Sequence, residues 1–366
     1  MDHSIRLPSG IASRILTIGP DYNDHRGGIG AVIEIYNKYF EEFKFIPSYR
    51  AGNPLLRLYI FIISIFRVCS KLITDKKIRI VHIHGASFGS FYRKYLIFII
   101  VKFIFRKKVI YHIHGGGFKE FYEKSYFFSR YLIRNFIEKS DSVICLSVSW
   151  FEFYRQNFKT KNLVILSNII NYPFKAARNS ADTRITFLFL GLIGKDKGIF
   201  DLLNVIGKNK DKYDSRIKLL IGGNGEVKRL NNLIIKYQLG ETVEFMGWVS
   251  KEAKVSAFNN SDIYILPSYN EGMPVSILEA MSYGLAIISS NVGGIPEIVK
   301  NKVNGVLIEP GNLEQIERSI DFFIDNPSFV KEYGTISEKL VQKYLPDSVF
   351  GQLQEIYRNV LNNNNG

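Results

Sequence analysis

The chain has 366 residues, enough for two domains, and its 46% hydrophobic and 22% charged residues exclude a disordered or collagen-like chain. Forty-eight Lys+Arg against 34 Asp+Glu leave a formal net charge of +14, and two cysteines, Cys69 and Cys145, exclude a disulfide framework and fit a reducing compartment. No apolar run reaches the roughly 18 residues that a membrane span needs, and residues 1–12 lack a leader's apolar core, so a cytoplasmic protein is expected.

The first strand-like run is RILTIG (14–19), followed by Gly27-Gly28-Ile29-Gly30 at the start of a helical pattern over 29–43. Glycines let a ligand approach the backbone, and a helix N-terminus offers free N–H groups, so this turn reads as a phosphate loop or as a plain tight turn. Next comes LYIFIISIF (58–66), flanked by Arg50, Arg57, Arg67, Lys71, Lys76, Lys77 and Arg79. After IRIVHIHG (78–85), the run YLIFIIVKFIF (95–105) is surrounded by Arg93, Lys94, Lys102, Arg106, Lys107 and Lys108. Residues 1–175 hold 27 basic and 12 acidic residues, a net of +15, whereas 176–366 hold 21 and 22, a net of −1. One half carries the whole excess. Arg and Lys beside Phe, Tyr and Ile compose a surface for anionic lipid headgroups; the alternative is buried helices with solvated charged ends. An aromatic, basic surface also stacks bases, but no nucleic-acid motif accompanies it and no nucleic-acid partner is expected.

The strand series continues with KVIYHIHG (108–115), a helical stretch over 126–140, DSVICLS (141–147) and NLVILSN (162–168). The polar, aperiodic YPFKAARNSADT (172–183) is the natural linker. A second series runs through RITFLFLG (184–191), IKLLIGG (217–223), TVEFMG (242–247), DIYILPS (262–268), LAIISS (285–290) and GVLIEP (305–310). Apolar strands alternating with helices predict an α/β protein with two doubly wound, Rossmann-like parallel-sheet domains, 1–175 and 176–345. A final helix over 345–361 is expected to pack back towards the N-terminal domain before a disordered NNNNG end. Ligands of such sheets bind at strand carboxyl ends, and with two domains the cleft between them is the expected site.

The chemistry gathers at those ends. Gly191-Leu-Ile-Gly-Lys195-Asp-Lys197-Gly198 lies between a strand and a helix, where Lys197 suits a diphosphate. Ser268-Tyr-Asn-Glu271-Gly272-Met273-Pro-Val275-Ser276-Ile-Leu-Glu279-Ala-Met follows 262–268, with a helix starting near Pro274 or Val275. Ionised carboxylates only accept hydrogen bonds and suit sugar hydroxyls, while the helix N-terminus between them suits phosphate. An exposed acidic loop with a capping carboxylate is the plainer reading of the same spacing.

Glu271-Gly-Met-Pro-x4-Glu279-Ala-Met, followed by Gly284, Gly293-Gly294-Ile-Pro-Glu297 and Asn304-Gly305, resembles glycosyltransferase family 4. Gly27-Gly28, His114, Asn168, Gly191, Lys197-Gly198, Gly223-x-Gly225 and Phe245-x-Gly247 extend the resemblance in the family's order over about residues 14 to 343. It implies the GT-B fold and a retaining, metal-independent transfer from a nucleotide sugar, a UDP sugar ahead of a GDP sugar. It also implies roles: Glu271 on donor-sugar hydroxyls, Glu279 on the ribose, and Lys197 on the diphosphate. The backbones of Gly27, Gly28, Gly272, Met273, Val275 and Ser276 would cradle the phosphates, and Gly223 and Gly247 would lie in the nucleotide pocket. His114 matches the family's histidine near the reacting sugar, and His84 would face the acceptor; a core histidine is the alternative for both. One departure stands out. Leu192 occupies the position of the family's usual arginine, for which Lys195, Lys197 or Arg26 would have to compensate.

The chain has no Asp-x-Asp and no zinc-type His/Cys spacing, so no metal or other cofactor is expected. The basic half points to a lipid-linked saccharide acceptor, of the polyprenyl-diphosphate kind, on the inner face of the cell membrane. That places the expected enzyme in surface polysaccharide assembly, such as O-antigen or capsule. The alternatives are an enzyme with a soluble acceptor, of the sucrose- or trehalose-synthase type, and a catalytically weakened binding protein.

Overall fold

Valine, isoleucine and leucine runs buried on both faces form parallel strands, and here they make two sheets of six. The structure, a computed structural model, describes residues 6–23, 27–176, 183–249 and 251–363. Contacts divide it into two units, Met1–Ile170 with Tyr344–Gly366, and Asn171–Lys343.

In the first unit the strands are β1 (Ile15–Pro20), β2 (Lys44–Tyr49), β3 (Ile80–Gly85), β4 (Lys108–Ile113), β5 (Ser142–Cys145) and β6 (Leu163–Ile165). Their order is β2-β1-β3-β4-β5-β6, so the winding reverses between β1 and β3. Five of them coincide with the runs read from the sequence. The unforeseen one, β2, contains Pro47, which lies opposite Gly19 and lacks an N–H. Proline is tolerated there because β2 is an edge strand. On one sheet face, Phe136 stacks on Tyr111 with centroids 3.9 Å apart and on Phe98 at 4.5 Å, all three fully buried. Full burial of each such ring contributes roughly 1.5–3 kcal/mol. The Pro346–Asn362 helix packs on the opposite face, burying Val349, Phe350, Leu353, Ile356, Tyr357 and Val360 at helical spacing. This is the tail helix expected over 345–361, and it belongs to the first unit; of the end expected to be disordered, 364–366 lie outside the described residues.

The Pro54–Thr74 helix starts at Asn53, whose side chain accepts from the Leu56 N–H at 2.8 Å, with Pro54 in the first turn. It buries only Ser64, Val68 and Leu72. Leu55, Leu58, Tyr59, Ile62, Phe66 and Ile73 are exposed, at a spacing that lines one side of the helix.

In the second unit the strands are β7 (Ile185–Leu190), β8 (Ile217–Gly222), β9 (Val243–Phe245), β10 (Ile263–Leu266), β11 (Ala286–Ser290) and β12 (Gly305–Ile308). Their order, β12-β11-β10-β7-β8-β9, is the Rossmann order, with its reversal between β7 and β10. The Ile199–Lys208 helix shows why the sheet is covered: Ile199, Phe200, Leu202, Leu203, Val205 and Ile206 are all buried. Of the expected linker, 177–182 lie outside the described residues.

Candidate active site

The reversal of strand order is where a doubly wound sheet opens a crevice at its carboxyl ends. In the second unit, the two strands that flank it deliver Lys197 and Glu271. The loop after β7 passes through a short turn, Lys195–Lys197, into Gly198. The loop after β10 carries Ser268 and Glu271 into the Val275–Ser282 helix, with Pro274 as its N-cap residue, where the sequence placed the helix start.

Close backbone approach holds the loops together and explains several glycines. Gly198 has φ +69°, and a Cβ there would lie 2.0 Å from the Pro267 carbonyl oxygen. Tyr269 N–H donates to the Asp196 carbonyl at 2.8 Å, joining the same two loops. Gly293, at φ +53°, would drive a Cβ to 1.9 Å from the Glu271 carbonyl oxygen, and Gly294 N–H donates to the Gly272 carbonyl at 2.7 Å. The Gly293-Gly294 turn after β11 is thus the seat on which the Glu271-Gly272 backbone rests. Gly223 does the same for the β7 loop: a Cβ would meet the Gly191 carbonyl at 1.9 Å. Its N–H donates to the Gly247 carbonyl at 2.7 Å.

Glu271 is buried, at 8% exposure. Its Oε1 accepts from Lys197 Nζ at 2.5 Å and from Ser268 Oγ at 2.9 Å. Met273 and Val275 are buried, so what they offer a ligand is backbone. The amides of Val275 and Ser276 sit in the first helical turn, where N–H groups have no intrahelical acceptor. Glu279 lies further along that helix, and its Oε1 accepts from Lys254 Nζ at 2.6 Å. Neither Ser268 nor Lys254 was foreseen as a partner. Ser268 stands three residues from Glu271 and was readable; Lys254 belongs to the separate Lys251–Asn259 helix, and no local spacing signals it. Leu192 is 54% exposed. A separate pocket of about 420 Å³, lined by Leu307, Phe322, Phe329 and Tyr333 among others, contains none of these residues.

In the first unit, Gly27 precedes the Gly28–Tyr39 helix, as expected from the glycine cluster. A Cβ at Gly27 would meet nothing within 4 Å, so the fold itself does not demand glycine there. Arg26 lies outside the described residues. His114 follows β4 and is half-buried. Its Nδ1 lies 3.2 Å from Asn168 Oδ1, and its Nε2 lies 2.9 Å from His84 Nδ1. Burial depresses the His114 pKa to about 4, against the opposing hydrogen bond of Asn168, so His114 is neutral at pH 7. His84 is fully buried, which corrects its expected position facing an acceptor: it reaches outward only through His114.

The basic cluster needs larger corrections. Lys94 is not on a surface: it is 2% exposed and hydrogen-bonds Ser48 Oγ. Helical spacing turns it inward beside Phe91, Ile97 and Phe98. Lys102 pairs with Asp141 at 2.6 Å. Lys107 Nζ donates to the Ile78 carbonyl at 2.8 Å. Lys108 Nζ donates to the Val360 and Asn363 carbonyls at 2.8 and 2.7 Å, capping the negative end of the tail helix. Arg93 is half-buried, its guanidinium 4.9 Å from the centroid of the Tyr49 ring. Of the six, only Arg106 is exposed. Exposed apolar side chains beside exposed arginines lie on the Pro54–Thr74 helix with Arg57 and Arg67, at Phe103 and Ile104 with Arg106, and at Tyr126, Phe127 and Phe128 with Arg130. Among the described residues, no helix is long and apolar enough to cross a membrane.

The second unit matches a known family by sequence, and the chain resembles solved structures in fold. Residues 173–340 match the family described as glycosyl transferases group 1. An uncharacterized glycosyltransferase of Haemophilus influenzae is 28% identical over 206 residues, 56% of this chain and 57% of that protein. The 2-deoxystreptamine N-acetyl-D-glucosaminyltransferase of Niallia circulans is 25% identical over 194 residues, 52% of this chain and 50% of that protein. The chain spans 47% to 58% of the length of the first curated relatives it matches. Among solved structures, sucrose-phosphate synthase from Thermosynechococcus elongatus superposes with a TM-score of 0.78 at 17% identity, over 95% of this chain and 99% of that one. Anabaena HepE, crystallised with UDP, gives 0.73 at 15% identity over 94% and 100%. The fold is therefore of the GT-B class, with two Rossmann-like domains.

Proposed function

We propose, from the premise that residues 173–340 form a group 1 glycosyl transferase domain, that the chain transfers a sugar from a nucleoside diphosphate sugar, with retention of configuration. The observation that carries this reading is the placement of Lys197 and Glu271, 2.5 Å apart, at the strand-order reversal beside a helix N-terminus. A cation, a hydroxyl-accepting carboxylate and free amides side by side match the adjoining phosphate and sugar of one donor.

In this reading the donor C1–O bond breaks towards an oxocarbenium-like centre while charge grows on the departing diphosphate. Lys197 and the amides of Val275 and Ser276 stabilise that charge without reorganising. Glu271 holds sugar hydroxyls, and Glu279, steadied by Lys254, holds the ribose. The acceptor hydroxyl attacks from the face the diphosphate leaves, and the diphosphate takes its proton. Glu271 and Glu279 are therefore not the acid and base of a two-carboxylate glycosidase. Lys195 lies in the same loop as Leu192 and supplies a cation where the guanidinium is missing.

The acceptor in this proposal is a lipid-linked saccharide at an anionic membrane face. Its support is the +15 charge of residues 1–175 and the exposed stripe of the Pro54–Thr74 helix. A relative 26% identical over 141 residues is named a putative colanic acid biosynthesis glycosyltransferase, which points the same way. A soluble acceptor is the second reading, favoured by the relative named for 2-deoxystreptamine.

The test is a thermal-shift screen of nucleoside diphosphates and nucleotide sugars, since a ligand that binds the folded state raises its melting temperature by mass action. Transfer to polyprenyl-diphosphate saccharide and to soluble sugars follows, with Glu271→Ala as control. UDP-sugar stabilisation with transfer to the lipid acceptor is expected. Failure of every nucleotide to stabilise the chain refutes the donor reading, and transfer to soluble acceptors alone refutes the membrane one.

A further inference from the structure

Strands β3 and β4 each carry a His-x-His, at 82/84 and 112/114, and parallel pairing sets His84 directly opposite His112. Residues two apart on a strand share a face. The four imidazoles therefore gather on one side of the sheet, beneath Tyr36 and Tyr357. His82, His84 and His112 are at most 1% exposed, and one nitrogen from each lies within 4.8 Å of the others.

Hydrogen bonds fix which nitrogens are spoken for. With Asn168 Oδ1 accepting from His114 Nδ1–H, His114 Nε2 is an acceptor and His84 Nδ1–H donates to it. His84 Nε2 is then a bare lone pair. In the tautomer whose Nδ1–H donates to the Tyr357 hydroxyl, 2.7 Å away, His82 Nε2 is bare as well. Both nitrogens of His112 are buried and unpartnered, as are His82 Nε2 and His84 Nε2. Orphaned buried polar nitrogens cost about 1–3 kcal/mol each, yet here they occur together. His82 and His84, held at one nitrogen each, have the arrangement in which protein histidines ligate metals, and His112 has a nitrogen to add to theirs.

We propose that His82, His84 and His112 form a binding site for one borderline divalent transition ion, Zn²⁺ being the ion that three imidazoles suit best, bridging β3 and β4. The donor set has no carboxylate and no thiolate, which disfavours Mg²⁺ and Ca²⁺ and fits a nitrogen-preferring ion. Tetrahedral ligands stand about 3.3 Å apart at a Zn–N length near 2.0–2.1 Å, so binding an ion requires the three rings, which lie at 9° to 36° to one another, to turn about their χ angles until the lone pairs converge. His114, half-buried at the strand ends, gives the cluster its route to solvent. The proposal does not rest on the diphosphate chemistry proposed above.

The experiment uses the full chain, stripped with a chelator and dialysed. Stoichiometric uptake of Zn²⁺ by elemental analysis, a visible ligand-field absorption with Co²⁺, and a melting temperature raised by Zn²⁺ but not by Mg²⁺ are expected. His112→Phe keeps a ring in the stack and removes only nitrogens that bond nothing in the protein, so it should fold, still respond to nucleotide, and lose Zn²⁺ affinity about 10–100-fold. No Co²⁺ spectrum from the wild-type chain overturns the proposal, whether or not the variant folds, and assigns the orphaned nitrogens to water. Equal uptake by His112→Phe and wild type overturns it as well.

Discussion

Lys197 Nζ donates to Glu271 Oε1 at 2.5 Å, tying the loop after β7 to the loop after β10 across the point where strand order reverses. Glu279 is held separately by Lys254. The two carboxylates thus have different cations, loops and burial, and in the proposed reaction they meet different parts of the donor. Glu279→Ala should weaken UDP binding about 10–100-fold, the range for losing hydrogen bonds to a charged group. Glu271→Ala should change UDP affinity less than about three-fold while transfer falls about 10²–10³-fold, because its contacts are to the reacting sugar. Calorimetric titration with UDP beside a transfer assay separates the two; equal losses of UDP affinity would refute the assignment of roles.

Glycines at the site divide into those the fold needs and one it does not. At Gly198 the left-handed backbone and the Pro267 carbonyl 2.0 Å from any Cβ leave no room for a side chain. Gly198→Ala should cost at least about 1–3 kcal/mol, read as a drop of several degrees in melting temperature, since roughly 2–4 °C accompany each kcal/mol in a domain of this size. Gly27 is extended, at φ −179°, and open around its Cα. Gly27→Ala should leave the melting temperature within about 1 °C and weaken donor transfer through the ligand alone. An intact transfer rate would remove Gly27 from the donor site.

In the proposed reading, membrane attachment runs through the Pro54–Thr74 helix rather than through Lys107 and Lys108. Leu58→Ser with Phe66→Ser should lower cosedimentation with anionic vesicles at least about ten-fold, since each large apolar side chain withdrawn from water contributes about 1.5–3 kcal/mol. Arg57→Glu with Arg67→Glu should act in the same direction and lose its effect at high salt. Lys108→Ala should instead lower the melting temperature, by uncapping the tail helix, and leave vesicle binding unchanged. Binding that survives both helix variants would take the attachment away from this helix, and a wild-type chain that fails to cosediment at low salt would end the membrane reading.

How far the sequence disclosed all this depended on whether the signal was local. The 262–268 run holds Ile263-Tyr264-Ile265-Leu266 without a break, and the Glu271–Glu279 segment is one turn and one helix, so both were readable. The edge strand β2 was hidden because Pro47 argues against a strand until its edge position is known. Lys254 was hidden because it reaches Glu279 from another helix. The histidine cluster was missed for a related reason: zinc spacing rules describe ligands near in sequence, whereas His84 and His112 become neighbours only through the β3–β4 register. Charge counting failed at the level of single residues. It reports that the first half is basic, not which lysines spend their charge on carbonyls or inside the core.

Lys94 carries that last point into a measurement. It is 2% exposed, with the Ser48 hydroxyl as its hydrogen-bond acceptor, and Ser48 in turn donates to the Gly19 carbonyl at 3.0 Å. Desolvation, reinforced by the nearby Arg93 charge, depresses the Lys94 pKa from 10.5 to about 7. Below the folded value both states hold the proton, and the native state bears the full cost of a buried ammonium. Between about 7 and 10.5 the native lysine sheds its proton while the unfolded one keeps it. The unfolded state then binds more protons, so stability rises with pH, at a slope of up to ~1.4 kcal/mol per pH unit. Above 10.5 the penalty is gone. Lys94→Met keeps the stem, removes the ammonium and leaves Ser48 its bond to Gly19. It should therefore be more stable than wild type at neutral pH, with the difference shrinking as pH rises. Urea unfolding of both proteins across this range cancels the titrations they share. Parallel pH profiles would mean that Lys94 carries no such penalty, and that its ammonium finds in the folded chain a hydration or a partner equal to water.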